Sequence, residues 1–366
     1  MKIECSKDKL KNSVSKAEKI TGRNLSLPVL NCLVLEAKNG NLSIKATNLD
    51  LGIEINIPVK VQKEGLIAVP GSILNAFISN LSHDDSVRLE VIDNNLSIGT
   101  PHNSTIIKAV PADDFPSIPK ITGGVSLEIF PTDFASGLKS VWYAAAVSGM
   151  KPELSSVYVY QDSGDIIFAA TDSFRLAEKK VSAKKTKEFN DILIPFKNIP
   201  EILRTLEEMD GPVKVDLNKN QISFSRNGVY LTSRIIDGVF PDYKQIIPKN
   251  SSTEAVLLKQ DVIDALKLAN IFSDSFHQIN IKALPGDKIF EVKTKNSDVG
   301  ESAHRISAVF KGDNVDINFN YRYIIDCFQS IASDSVSLQF NGAAKPMVIR
   351  GVGDPSFLYL VMPMNK

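Results

Sequence analysis

The sequence predicts an α+β protein built as three tandem copies of one sheet-rich domain with two helices each. Three observations carry this. An amphipathic helical pattern opens each third, a short β-rich run turning into a helix sits near the middle of each third, and a Phe-Pro pair closes the first two. The opening helices are expected over Lys7–Ile20, Thr132–Val147 and Lys259–Phe272. Their apolar residues are Leu10, Val14 and Ala17, then Phe134, Leu138, Val141 and Ala145, then Val262, Leu266 and Ala269. Spacings of i, i+4 and i+7 put each set on one helix face.

The second helix of each copy follows a run of β-formers. Ile67–Gly71 leads into Ser72–Leu81, Ile192–Phe196 into Lys197–Glu208, and Ile317–Tyr321 into Arg322–Ile331. Pro70 and Pro195 stand near the first turn, where a missing N–H costs nothing. The separation is 125 residues from Pro70 to Pro195 and again from Pro195 to Asn320. Asp114-Phe115-Pro116 and Val239-Phe240-Pro241 repeat at the same interval. Strands are read from short alternating runs such as Val87–Val91, Asn95–Ile98, Gln221–Phe224 and Val336–Phe340, broken by Asn-rich or Asn-Gly turns. The interval is far longer than a solenoid unit of roughly 20–50 residues, so the copies are whole domains. They are expected at 1–121, 122–249 and 250–366, with linkers near Pro119–Val125 and Pro248–Thr253 and helices laid on one face of the sheets.

Composition narrows the function. The chain has 366 residues, 42 Lys+Arg against 42 Asp+Glu, and 43% hydrophobic residues, which excludes a disordered chain. No apolar run approaches the roughly 20 residues that span a bilayer. Met1–Asp8 lacks the apolar core of a signal peptide, so a cytoplasmic protein with no membrane partner is expected. Cys5, Cys32 and Cys327 are widely spaced and odd in number, and read as reduced core residues. Zero net charge argues against coating nucleic acid by bulk attraction. His83, His102, His277 and His304 are scattered without metal-ligand spacing, and no GxSxG, Walker A or GxGxxG motif occurs. Thr171-Asp172-Ser173 reads as a turn and Asp113-Asp114 as a polar loop. The residues therefore predict no enzyme, no catalytic set, no cofactor and no metal.

Four local motifs, in order along the whole chain, carry a resemblance. They are Gly22-Arg23-Asn24-Leu25-Ser26-Leu27-Pro28-Val29-Leu30, Thr171-Asp172-Ser173-Phe174-Arg175-Leu176-Ala177, Asp237-Gly238-Val239-Phe240-Pro241-Asp242-Tyr243 and Tyr359-Leu360-Val361-Met362-Pro363-Met364. With the threefold repeat, the sequence resembles the bacterial DNA polymerase III β subunit family, the replicative sliding clamps. The resemblance implies a homodimer closed head to tail into a ring, helices inside and sheets outside, that encircles duplex DNA without sequence preference. It implies a replicative polymerase, a clamp loader and repair polymerases as partners, docking through short apolar peptides, with ATP used by the loader. A scaffold of the same fold that binds proteins without encircling DNA is the alternative.

A ring held by topology needs weak, sequence-independent attraction to phosphates. The helix faces opposite the apolar stripes carry Lys9, Lys16 and Lys19, then Lys139, then Lys197 and Arg204, then Lys267, then Arg322. Arg23 and Lys151 join them by resemblance. The resemblance also implies a peptide groove lined by Leu154, Thr171, Phe174, Arg175, Leu176, Pro241, Ile246, Pro346, Met347, Leu360, Met362, Pro363 and Met364. Methionine suits a surface that accepts related peptides. Phe174 stands where the family often has histidine, and Asn365 where some members have a basic residue. The dimer contact is expected at Ile107 on an edge strand and at Ile271 and Phe272 after the fifth helix.

Overall fold

A computed structural model describes residues 1–22, 26–81, 85–183 and 187–364 of the chain. Its six α-helices are α1 (Lys7–Glu18), α2 (Gly71–Ser79), α3 (Pro131–Val141), α4 (Ile199–Glu207), α5 (Lys259–Ile271) and α6 (Tyr321–Cys327). Every residue of the three apolar stripes is buried. Asn320 caps α6, its side-chain oxygen accepting from the Arg322 backbone N–H at 2.9 Å.

Helix α3 ends earlier than the pattern through Val147 predicts. A 3₁₀ turn, Trp142–Ala144, takes over, and Ala145 is extended. The Tyr143 carbonyl, which a continuing helix would bond internally, instead accepts from the Arg175 guanidinium at 2.6 Å. A charge-assisted bond outcompetes one more turn. Within α3, the ring of Phe168 packs where a Cβ on Gly137 would stand, 2.2 Å from its nearest atom. The same ring meets Phe134 edge-on at 5.1 Å.

Two compact units organise the strands, all paired antiparallel. The first holds Met1–Thr132, Thr186–Phe189 and Lys197–Ile235. It contains a five-stranded sheet in the order Lys60–Lys63, Lys2–Ser6, Ser86–Ile92, Asn95–Gly99, Ser104–Ile107. Its eight-stranded sheet joins Val125–Ile129, Val213–Leu217, Gln221–Arg226 and Val229–Arg234 to Leu51–Pro58, Asn41–Thr47, Cys32–Lys38 and Gly65–Pro70. Helices α1 and α2 pack together, and α1 also packs on the strands Cys32–Lys38, Asn41–Thr47 and Leu51–Pro58. Leu10, Val14, Leu74 and Ile78 are fully buried. Burial of each such side chain contributes about 1.5–3 kcal/mol.

The second unit holds Asp133–Lys185, Asn190–Phe196 and Ile236–Lys366. Its nine-stranded sheet runs Ile192–Pro195, Ser156–Asp162, Asp165–Thr171, Arg175–Ser182, then Phe357–Val361, Met347–Gly351, Ser335–Phe340, Thr253–Leu258, Ala308–Gly312. A four-stranded sheet orders Gly300–Ile306, Ile289–Asn296, Gln278–Leu284 and Val315–Asn320, with α5 packed on the first two.

The middle third thus contributes strands to both units. Val229–Ser233 pairs with Ile55–Leu51, and Arg175–Lys179 pairs with Val361–Phe357. Each of its sheets continues into a neighbouring third, so compactness divides the chain through the middle copy. All three cysteines are free and buried, and burial with Glu4 nearby pushes the Cys5 thiol up to about 12. Among the described residues no helix is long and apolar enough to cross a membrane.

Candidate functional site

The hairpin between Asp165–Thr171 and Arg175–Ser182 is built by its own side chains. The Thr171 hydroxyl donates to the Arg175 carbonyl at 2.6 Å and accepts from the Ser173 N–H at 3.1 Å. Asp172 Oδ1 accepts the N–H groups of Phe174 and Arg175, both at 3.0 Å, an Asx-type turn. Ser173 adopts the left-handed conformation, φ 78°. This turn throws Phe174 outward, 60% exposed, and turns Arg175 inward.

Arg175 is engaged on every edge. Its Nε donates to Asp172 Oδ2 at 3.0 Å, Nη1 to Asp326 Oδ2 of α6 at 2.5 Å, and Nη2 to the Tyr143 carbonyl. Its guanidinium lies 4.8 Å from the Tyr323 ring centroid. Burial works against its charge, but Tyr359 and the Asp326 and Asp172 carboxylates raise its pKa above the usual arginine value. Phe174 stacks on Tyr323, with centroids 6.4 Å apart at 18°. The Phe174 carbonyl accepts from the Met362 N–H at 2.8 Å, and Met364 bonds Asn318 at the same distance. Three of its five guanidinium N–H donors are thus bonded within this unit, where the 11% exposed side chain ties the turn to α6 and to the Tyr143 backbone, and Arg175 is not on the lining of the groove beside Ile246.

Behind that turn lies an apolar floor. Leu176 and Leu360 are buried with Leu193, Val348, Leu358 and Phe240. Segment 239–247 is laid over it by aromatic contacts. Phe240 stacks on Tyr158 at 4.8 Å and 7°, and the Tyr243 hydroxyl donates to Glu178 at 2.5 Å and meets Tyr160 at 2.8 Å. Burial, then the Glu178 charge, raises the Tyr243 pKa well above its ordinary value. Pro241 and Ile246 are left exposed.

Beside Ile246 opens a groove of about 650 Å³. Of the residues predicted for it, Ile246, Pro346 and Met362 line it. Phe174, Pro241, Pro363 and Met364 lie outside its lining but keep exposed or half-exposed surface. Leu154, Thr171, Leu176 and Leu360 are buried. Met347, expected in the wall, is 0% exposed and is corrected to the core. It pairs with Val361 in the middle of the nine-stranded sheet and offers a partner nothing. Sequence reasoning missed Ile247, Pro248 and Lys249 on one side and Ala344 and Lys345 on the other. The cue for both groups was present in the Pro248 linker and the Asn341-Gly342 turn.

At the expected dimer contact, strand Ser104–Ile107 is indeed a sheet edge. Its outward side chain, however, is Ile106 at 65% exposure; Ile107, at 5%, is corrected to the core. A strand alternates faces, so a one-residue error swaps core for surface. Ile271 is exposed and Phe272 half-buried. Strand Gly300–Ile306 is the edge of the four-stranded sheet.

The basic candidates divide into paired and unpaired. Lys16 reaches Glu208 at 2.6 Å, Lys19 reaches Glu18 at 3.5 Å, Lys197 reaches Asp50 at 2.6 Å, and Arg204 reaches Glu201 at 2.6 Å. Lys9, Lys151, Lys267 and Arg322 are exposed and form no ion pair with a described residue. Lys139 is also exposed on α3. Arg23 lies outside the described residues. Exposed pairs contribute only about 0–1 kcal/mol, so the paired cations remain exchangeable with an incoming phosphate. Among the described residues no group of three or more His, Cys, Asp and Glu is placed to hold a metal.

Comparison with known proteins agrees along the whole chain. Residues 1–119 match the N-terminal domain of the DNA polymerase III beta subunit, 128–242 its central domain and 244–365 its C-terminal domain. The beta sliding clamp of Synechococcus elongatus is 26% identical over 373 residues, covering 100% of this chain and 99% of that one. That of Rickettsia bellii is 28% identical over 356 residues, covering 94% and 93%. The sliding clamp of Bartonella birtlesii, solved bound to griselimycin, is 25% identical over the full length of both chains with a TM-score of 0.94. Three consecutive domain matches, joined by a fold that follows the same architecture from end to end, place the chain in the DNA polymerase III beta subunit family, the bacterial sliding clamps.

Proposed function

We propose that this chain is a DNA sliding clamp of the bacterial cytoplasm. It encircles duplex DNA, tethers a replicative polymerase, and docks the clamp loader and repair polymerases at the groove beside Ile246 and Met362. Its three clamp domains are taken at 1–121, 122–249 and 250–366. The observation that carries the reading is the unbroken run of three clamp-domain matches over a chain of matching length. The chain works by topology and docking, with no reaction, cofactor or metal of its own.

Two copies closing head to tail give the ring. Two free sheet edges support that closure, Ser104–Ile107 with Ile106 outward and Gly300–Ile306, with Ile271 exposed on the helix packed against the latter. Unpaired edges otherwise invite uncontrolled pairing, and a closed ring removes both. In the ring, the lumen cations are Lys9, Lys16, Lys19, Arg23, Lys139, Lys151, Lys197, Arg204, Lys267 and Arg322. A scaffold that never encircles DNA is the second reading, favoured by the four cations already neutralised within the chain.

The deciding experiment loads the protein onto nicked circular DNA with a compatible clamp loader and ATP, followed by gel filtration before and after linearisation. Retention on the circle and run-off from the linear form establish the topological link. Equal behaviour on both forms refutes it and leaves the scaffold.

A further inference from the structure

Resting on the peptide-groove reading, we propose that the groove selects apolar peptides carrying a carboxylate beside their apolar anchor, with Lys249 and Lys345 as the residues that read it. The groove is apolar at Ile246, Pro346 and Met362. The charged groups on its lining are Lys249 and Lys345, both exposed, and among the described residues no carboxylate lines it. Neither lysine forms an ion pair with a described residue. Other lysines of the unit meet carboxylates, as Lys244 does Asp162 at 2.9 Å and Lys293 does Glu291 at 2.8 Å, or form no ion pair with a described residue, as Lys151 and Lys267; Lys249 and Lys345 differ in sharing the lining of one groove.

The backbones bearing the two lysines are tied together. The Asn341 side chain accepts from the Ser252 N–H at 3.0 Å and donates to the Asn250 carbonyl, binding the turn that carries Lys345 to the segment that carries Lys249. Both lysines stand on the lining of one groove, so a carboxylate bound with the peptide there meets positive charge from either side chain. An extended peptide presents alternate side chains to one face. A Leu-x-Leu anchor therefore faces Ile246, Pro346 and Met362 while flanking residues meet the rim. Such rim charges act more on specificity and on-rate than on raw affinity.

The test uses the full-length protein and fluorescein-labelled nonapeptides with a Leu-x-Leu anchor flanked by Asp, by Asn or by Lys, with affinities read by anisotropy. Two exposed charge pairs give the Asp peptide about a threefold to tenfold advantage over the Asn peptide. The Lys peptide is the weakest of the three. In Lys249→Gln/Lys345→Gln, and at about 0.5 M salt, that advantage disappears, the Asp and Asn peptides binding alike. An advantage that survives in the double variant, or none in the unmodified protein, overturns the charge reading. Ile246→Asp separates the two levels. If all three peptides bind equally and Ile246→Asp releases them, only the charge selection fails. If no peptide binds the unmodified protein, the groove reading fails with it. Competition by a short DNA duplex that is lost in the lysine variant assigns the lysines to phosphate and also overturns the proposal.

Discussion

Replacing Arg175 by alanine tests whether that residue acts as an internal clamp rather than as a ligand contact. The substitution removes charge-assisted bonds to Asp172, Asp326 and the Tyr143 carbonyl. It also removes the stacking on Tyr323. Breaking a buried pair by deleting one partner typically costs about 3–5 kcal/mol, because the other charge is stranded. Here the stranded side chains are 15% exposed at Asp172 and 39% at Asp326, so Asp326 regains water. Relief of the guanidinium's own desolvation offsets a further part. The expected loss is about 2–4 kcal/mol, read as a shift of the urea midpoint at unchanged slope. A double-mutant cycle with Asp326→Asn should show coupling of at least about 1 kcal/mol. Arg175→Lys keeps the charge but loses the fork, and should recover less than half of the loss. Were Arg175 a peptide contact, alanine would abolish peptide binding and leave stability within about 0.5 kcal/mol of the parent. That result would refute the clamp.

Gly137→Ala sets helix propensity against packing. Alanine favours a helix interior by about 1 kcal/mol, but its Cβ would meet the Phe168 ring, so a net loss of about 1–3 kcal/mol is expected in urea unfolding, and stabilisation would contradict the packing. Cys5, Cys32 and Cys327 should resist a thiol reagent such as DTNB until the protein unfolds; fast labelling of the native protein would show that at least one of them is accessible. Glu254 accepts from Ser337 and Gln339, which hold its carboxyl below the usual glutamate value. Its contribution is present above about pH 4.3 and lost as pH falls through the depressed folded value, so Glu254→Gln should narrow the stability difference between neutral and acid pH. An unchanged difference would discount the pair. On DNA, unpaired Lys9→Ala should lower the salt slope of retention by about one, whereas Lys197→Ala should lower it less, because Asp50 already holds that ammonium.

The helices were legible because their information is local. A stripe such as Leu10, Val14 and Ala17 announces its buried face whatever sheet it meets, and all three opening stripes are buried. The repeat was legible for the same reason, as each copy carries its own landmarks. What the sequence concealed depends on partners far along the chain. Asp326 lies 151 positions from Arg175 and Tyr143 lies 32, so a reading of the Thr171–Ala177 motif sees an exposed-looking arginine and no clamp. The paired lysines were hidden likewise, since Glu208 and Asp50 belong to other thirds than Lys16 and Lys197.

Strand faces fall between these cases. Ser104–Ile107 is a recognisable β run, but four residues of mostly apolar character do not reveal which alternate pair points inward. Pairing of Leu96 with Ile107 settles it, leaving Ile106 as the apolar side chain of an open edge. The same logic applies to the groove. Its floor at Ile246, Pro346 and Met362 was named from motif, whereas its rim is made by a linker and a turn, where burial imposes little pattern on sequence. A surface that must discriminate among related apolar peptides gains little from the floor, which treats them alike. Discrimination falls to the rim, and that is where Lys249 and Lys345 stand.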